Sequence, residues 1–66
     1  MTIIFNGDPR PAPDRLTVAE LLAELDLESR RVAVEVNQEL APRAQHAEFV
    51  LQDGDRVEVV TLAGGG

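Results

Sequence analysis

Three consecutive glycines, Gly64, Gly65 and Gly66, have the most distinctive chemistry in this 66-residue sequence. Glycine makes up only about 7% of average sequences, so a terminal run of three is unusual. Without a Cβ atom, glycine adopts backbone angles closed to other residues, and such a segment fits a narrow channel. We expect Gly64 and Gly65 to thread a tail into a partner's active site, where the Gly66 carboxylate is activated to carry a group. A frayed or added terminus is the alternative.

Side chains that perform catalysis are scarce in the rest of the sequence. The chain has no cysteine, which excludes a disulfide, a thiolate zinc site and a cysteine nucleophile. His46 is the single histidine, and Ser29, the single serine, has no nucleophile-elbow pattern around it. We interpret His46 as a structural, partly buried residue and predict that the chain is not an enzyme and has no catalytic side chain.

Two acidic pairs have spacings that suggest a metal site. Glu20 and Glu24 lie four residues apart on one side of a predicted helix, but a third ligand is missing, which favours a solvated face. Asp53 and Asp55 flank Gly54 without the other oxygen ligands of a calcium loop, which favours a turn. We therefore predict no metal site and no cofactor bound by this chain.

Composition and charge narrow the class of protein. Twelve acidic against six basic side chains give a formal charge of −6 and a pI of about 4.5, which argues against nucleic acid as a partner. No apolar run approaches the roughly 18 residues of a membrane span, and no signal sequence follows Met1. A chain of this length forms one small domain. We expect a single cytoplasmic domain over residues 1–66, with no membrane partner.

The first half of the chain predicts a hairpin and a helix. Residues 2–6 are β-branched and aromatic, Asn6-Gly7 is typical of a tight turn, and residues 8–13 carry three prolines, which favours an irregular edge strand. Thr17 and Glu20 form a capping-box pattern. Apolar residues then recur at helical spacing and predict a helix over residues 18–26; they are Val18, Leu21, Leu22 and Leu25.

The second half predicts strands. Residues 32–36 alternate apolar and small or polar side chains, a turn follows at Asn37-Gln38, and residues 39–43 form a short extended piece. Residues 44–47 predict one helical turn, and residues 56–61 form the last strand after the turn at 53–55. We expect residues 62–66 to form a flexible tail.

These elements assemble into an α+β domain. One mixed sheet of four to five strands is covered on one face by the single helix, with the first and last strands as parallel neighbours at its centre. The helix should lie across five side chains: Ile3, Phe5, Val34, Val57 and Val59. Alternation leaves a second set on the uncovered face, which also includes Ala33. Of this set we predict that four residues bind a partner: Ile4, Glu58, Val60 and Leu62.

This β-grasp pattern with a diglycine end resembles the ubiquitin-like sulfur carriers, and most closely the sulfur carrier family of thiamine biosynthesis, ThiS. The likeness covers nearly the whole chain and is clearest in VAVEVNQELAPR (residues 32–43) and LQDGDRVEVVTLAGGG (residues 51–66). The residues that sit where the family pattern places them are Glu35, Asn37, Pro42, Arg43, Gly54, Asp55, Val57, Glu58 and Val59. Two residues depart from the pattern: His46 replaces a frequent aromatic residue, and Ala63 is not a glycine.

The resemblance implies a reaction cycle performed by partner enzymes. An adenylating enzyme of the ThiF type would use ATP and magnesium to convert the Gly66 carboxylate into an acyl-adenylate. Sulfur supplied from cysteine by a cysteine desulfurase would then displace AMP and leave a Gly66 thiocarboxylate. The thiazole synthase ThiG would take that sulfur for the thiazole of thiamine.

Three other functions remain open at this point. The small subunit of molybdopterin synthase shares the terminal chemistry but is usually longer than this chain. A ubiquitin-like modifier would form an isopeptide bond with a lysine of a target protein. A plain interaction module would have an inert tail.

Overall fold

A computed structural model describes residues 1–62, and the predicted tail residues 63–66 lie outside that part. The described chain forms five strands and one α-helix: β1 (Thr2–Phe5), β2 (Asp8–Pro11), α1 (Val18–Glu24), β3 (Val32–Val36), β4 (Glu39–Leu40) and β5 (Arg56–Thr61). Short 3-10 turns occupy Ser29–Arg31 and Arg43–Gln45. The predicted order of strand, strand, helix, strand, short strand and strand is confirmed. The single helical turn predicted at residues 44–47 starts one residue earlier.

The five strands form one mixed sheet in the order β2-β1-β5-β3-β4. Strand β5 is central and pairs in parallel with β1, where Ile4 faces Arg56 and Phe5 faces Val57. On its other side β5 pairs antiparallel with β3 over five residue pairs. The predicted parallel contact between the first and last strands is confirmed, and so is the α+β class with one helix on a mixed sheet.

Both hairpins turn through two residues with positive φ. Asn6 and Gly7 have φ values of 48° and 90°, and Asn37 and Gln38 have values of 53° and 70°. Positive φ at both central residues is the type I′ geometry, which matches the twist of the flanking strands. The sequence predicted both turns, at Asn6-Gly7 and at Asn37-Gln38, and both are confirmed. The left-handed backbone of Gln38 is unexpected, because glutamine rarely adopts it.

The prolines of β2 explain why this strand can lie at the edge. The amides of Ile4 and Asn6 donate to the carbonyls of Asp55, just before β5, and Val57, so the amide of Ile3 points the other way, towards β2. Pro9, the partner of Ile4, therefore occupies a position whose nitrogen faces outward. Proline has no N–H to offer another strand, so Pro9 blocks strand addition at this edge.

Helix α1 begins and ends with hydrogen-bonded caps. The Thr17 hydroxyl accepts from the Glu20 amide at 3.1 Å, and the Glu20 carboxylate accepts from the Thr17 amide at 2.9 Å, which confirms the predicted capping box. The helix ends at Glu24, two residues before its predicted end, because Asp26 adopts a φ of 58°. The amide of Leu27 then donates to the Leu22 carbonyl, a Schellman closure with aspartate in place of glycine.

The core lies between α1 and one face of the sheet. The helix buries Val18, Leu21 and Leu22. The largest fully buried sheet residues are Ile3, Val34 and Val57, while Phe5 and Val59 pack against them and are partly buried. All five side chains predicted to lie under the helix therefore face it.

The capping box makes the stability of the domain depend on pH. The hydrogen bonds from Thr17 lower the pKa of Glu20 from its ordinary value of 4.5. A lowered folded-state pKa stabilises the domain above pH 4.5, and this contribution is lost as the pH falls through the lowered value. We expect Glu20→Gln to be less stable than wild type at pH 7, and the difference to shrink as the pH falls below 4.5, as measured by urea unfolding over this range. A difference that stays constant as the pH falls would contradict this account.

Candidate functional site

The uncovered face of the sheet carries the residues predicted to bind a partner. Val60, in the central strand β5, is 58% exposed, and Leu62, which directly follows that strand, is 51% exposed; both fractions are high for large apolar side chains. Glu58 is exposed, and Ile4 and Ala33 are half-buried. Ala33 pairs with Val60 and Ile4 with Arg56, which places these residues on one side of the sheet. The structure therefore brings the predicted set together as one apolar surface with a charged centre.

Leu40 belongs to the same surface and was not predicted from the sequence. It is the most exposed large apolar residue of the described chain, at 66%. Its strand, β4, has only two residues, too few to show alternation. Leu40 pairs with Glu35, and this register places it on the uncovered face. The signal that identifies it is the hairpin register set by the Asn37-Gln38 turn.

The tail leaves the sheet from the end of β5. The Leu62 amide donates to the Arg31 carbonyl at 2.8 Å, so Leu62 is still held against the chain that leads into β3. The predicted tail, 62–66, therefore begins at a residue with an ordered backbone hydrogen bond. Gly64, Gly65 and Gly66 lie outside the described residues, and their roles stay predictions.

The side chain of Asn6 forms hydrogen bonds that connect the end of β1 to β5, close to the tail. Its side-chain oxygen accepts from the Val59 amide at 2.8 Å, and its side-chain nitrogen donates to the Val59 carbonyl at 3.3 Å. The Asn6 backbone amide also donates to the Val57 carbonyl at 2.8 Å. The side chain thus continues the β1–β5 ladder after β1 has turned away. From the sequence we predicted only the turn at Asn6.

Asn37 makes a similar connection at the start of β5. Its side-chain oxygen accepts from the Arg56 amide at 3.0 Å, while its side-chain nitrogen donates to the Asp55 carboxylate at 3.0 Å. Asp55 also accepts from the Gln52 amide at 2.8 Å, and Asp53 accepts from the Thr2 amide at 2.8 Å. The turn interpretation of these two aspartates is confirmed.

His46 is 4% exposed, and its structural interpretation is confirmed. Its Nε2 lies 2.9 Å from the Ala41 carbonyl, which can only accept, so Nε2 carries the proton. Its Nδ1 is buried and has no hydrogen-bond partner among the described residues. An imidazole enclosed in this way is not accessible to a substrate.

The described residues give no indication of a metal centre or a membrane segment. Within residues 1–62, no three histidine or acidic side chains come together as a metal site requires. Glu24 lies 4.0 Å from Arg10 of β2, and Glu20 belongs to the helix cap. In the same part of the chain, no helix has the length and apolar composition for crossing a membrane.

The fold is that of a ubiquitin-like β-grasp domain. The model of the ThiS family matches residues 3–66. The sulfur carrier protein ThiS of Escherichia coli K12 is 36% identical over 66 residues, which span the whole of both chains. A crystal structure of the thiamine biosynthesis protein ThiS from Geobacter metallireducens superposes with a TM-score of 0.86 at 35% identity, again over the whole of both chains.

A longer protein also contains a similar sequence. A thiazole synthase of Paramagnetospirillum magneticum is 42% identical over 66 residues. This match covers all of the present chain but only 20% of that synthase, so the chain spans about a fifth of its length. The family match, these relatives and the shared fold show that the chain belongs to the ThiS family.

The side chain of Asn6 provides a test of how β5 is held. Asn6→Gly keeps a residue that adopts positive φ but removes both bonds to Val59. We expect the free energy of unfolding to fall by about 1–2 kcal/mol, since the Val59 amide and carbonyl lose their partner. Urea unfolding measures this loss. An Asn6→Gly variant as stable as wild type would contradict the role of the side chain.

The uncovered face is tested by Val60→Glu. Because Val60 is more than half exposed, this change should shift the free energy of unfolding by no more than about 0.5 kcal/mol. Binding to an adenylating enzyme, the partner that the sequence resemblance implies, should weaken because a carboxylate replaces an apolar contact. Calorimetric titration measures the affinity, and Val50→Glu, at an exposed residue outside the five-stranded sheet, is the control. Equal affinities of Val60→Glu and wild type would exclude this face from the interface.

Proposed function

We propose that this domain is a sulfur carrier for thiazole formation in thiamine biosynthesis, with Gly66 as the residue that carries the sulfur. Membership of the ThiS family supports this role, as does the triglycine sequence that follows the central strand β5. Family membership also favours this pathway over the molybdopterin alternative. The domain acts as a co-substrate of partner enzymes and contributes no catalytic side chain.

The chemistry proposed for Gly66 begins with its carboxylate. A carboxylate is a poor acyl donor until its oxygen becomes part of a good leaving group. An adenylating enzyme would use ATP and magnesium to form an acyl-adenylate and release pyrophosphate. The terminal sulfur of a persulfide, formed from cysteine by a desulfurase, would attack the acyl carbon and displace AMP to give an acyl disulfide. A thiol would then reduce the S–S bond, which releases the thiocarboxylate and leaves that thiol in a new disulfide. The resulting thiocarboxylate sulfur is a better nucleophile than a carboxylate oxygen.

Thiazole synthase is the proposed acceptor of the sulfur. The thiazole synthase of Paramagnetospirillum magneticum contains a segment similar to this whole chain, which supports a close association between the two functions. A carrier domain on the same polypeptide as its acceptor enzyme has a high effective concentration at the acceptor site. For this chain we propose the same pairing with a thiazole synthase as partner.

The position of β5 determines how far the tail reaches. Four residues follow Leu62, and an extended chain advances about 3.3–3.6 Å per residue, so the tail spans roughly 14 Å at most. The Leu62 backbone is tied to Arg31, which sets the starting point of that span. Docking through the uncovered face would bring the start of the tail towards the partner, because Leu62 lies at the end of β5 on that face. The geometry supports a division between a docking surface and a chemically active terminus.

The decisive test changes the terminus alone. Deleting Gly66 shortens the reach by about 3.5 Å, and a C-terminal tag converts the carboxylate into an amide. Gly65→Val adds a β-branched side chain where the channel should be narrowest. All three changes should abolish ATP-dependent conversion to the thiocarboxylate. Intact-protein mass spectrometry after incubation with adenylating enzyme, ATP and sulfide measures the exchange of oxygen for sulfur.

The controls separate the terminus from the fold. Ala63→Gly keeps the carboxylate and the tail length, so it should be converted like wild type. The thermal midpoint of every variant should stay within a degree or two of wild type, because residues 1–62 contain the described core. If the variant without Gly66 gains sulfur as wild type does, the sulfur-carrier role at Gly66 is wrong. A higher-mass adduct with a target protein would instead favour the ubiquitin-like modifier.

A further inference from the structure

Two carboxylates lie directly opposite each other on the uncovered face. Glu35 of β3 and Glu58 of β5 are partners in the antiparallel ladder, and both are exposed. The Asn37 amide donates to the Arg56 carbonyl, and the ladder alternates in steps of two, so Glu35 and Glu58 form a hydrogen-bonded pair. Residues in such a pair have Cα atoms about 5.5 Å apart, and their side chains project to the same side.

This arrangement is unfavourable in the isolated domain. Like charges directly opposite on neighbouring strands destabilise a sheet. Among residues 1–62, neither carboxylate lies within 4.0 Å of a basic group. Arg56 lies on the same face two residues before Glu58, yet it forms no ion pair with either glutamate at this distance. The Glu35–Glu58 pair therefore has no close cation within the described domain.

Apolar side chains surround the pair. Val60 and Ala33 form the next row towards the tail, Leu40 lies beside Glu35, and Ile4 lies near the opposite end of the face. A partner that covers the apolar residues also removes water from the two carboxylates. Two uncompensated charges would then make docking costly, unless the partner supplies a cation between them.

A second copy of this chain does not meet that requirement. A two-fold contact through this face would bring four carboxylates together in a chain of formal charge −6. Pro9 also blocks strand addition at the β2 edge. The charge pattern favours a different protein, with a basic group at the centre of its docking surface.

We propose that the Glu35–Glu58 pair receives one arginine of the adenylating enzyme, held between the two carboxylates and enclosed by Val60, Ala33 and Leu40. The partner is that of the function proposed above, so this inference rests on it. A guanidinium is planar, has five N–H donors and can donate to both carboxylates at once, which a lysine does less well. The pair costs stability in the free domain and contributes affinity and specificity in the complex.

The test compares Glu35→Gln, Glu58→Gln and the double variant with Glu48→Gln. Glu48 is exposed, lies outside the sheet and gives the same change in net charge, so it separates local pairing from overall charge. Each single variant should raise the Kd for the adenylating enzyme about tenfold in calorimetric titration. The double variant should lose less than the product of the two factors, because both carboxylates share one guanidinium. Glu48→Gln should bind like wild type.

Stability provides a second readout that moves in the opposite direction. The urea midpoints of Glu35→Gln and Glu58→Gln should equal or exceed that of wild type, since a repulsion is relieved. If wild type binds the adenylating enzyme and both single variants bind it with the same affinity, the arginine contact is overturned. The sulfur-carrier role is then unaffected. If wild type itself is neither bound nor converted to the thiocarboxylate, the proposed function is contradicted and this inference with it.

Discussion

The parallel pairing of β1 with β5 is the contact on which the rest of the domain depends. It joins residues more than fifty positions apart and places the last strand at the centre of the sheet. Central placement lets β5 bury Val57 fully beneath the helix while β3 pairs along its other side. The strand that leads into the tail is therefore also the strand most firmly held by its neighbours.

Two asparagines extend this pairing beyond the strands themselves. Asn6 and Asn37 each occupy the first position of a two-residue turn with positive φ, and the side chain of each bonds to the backbone of β5. Turn residues of this type do two things at once, because a short amide side chain tolerates the left-handed conformation and also mimics a peptide group. A domain this small buries little apolar surface, so such hydrogen bonds contribute a larger share of its stability.

The uncovered face carries two features that do not stabilise the free domain. Val60, Leu62 and Leu40 remain exposed although each has enough apolar area to stabilise a core. Glu35 and Glu58 repel each other at the centre of the same face. A sheet optimised only for folding would carry neither feature. Both features fit the docking role proposed for this face, in which a partner would cover the apolar side chains and neutralise the carboxylates.

Local signals in the sequence determined the elements and much of the face. The Thr17–Glu20 cap, the Asn6-Gly7 turn and the alternation through Val57, Glu58, Val59 and Val60 each depend on neighbours a few residues away, so they could be predicted without coordinates. The triglycine terminus indicated the chemistry in the same way. Tertiary structure alone decided where α1 ends, because Asp26 takes the conformation usually left to glycine. Three further features are visible only in the tertiary structure. They are the hydrogen bonds from Asn6 to Val59, the exposure of Leu40, and the pairing of Glu35 opposite Glu58. These depend on strand register, which is set by contacts between distant parts of the chain and has no signature in any short segment.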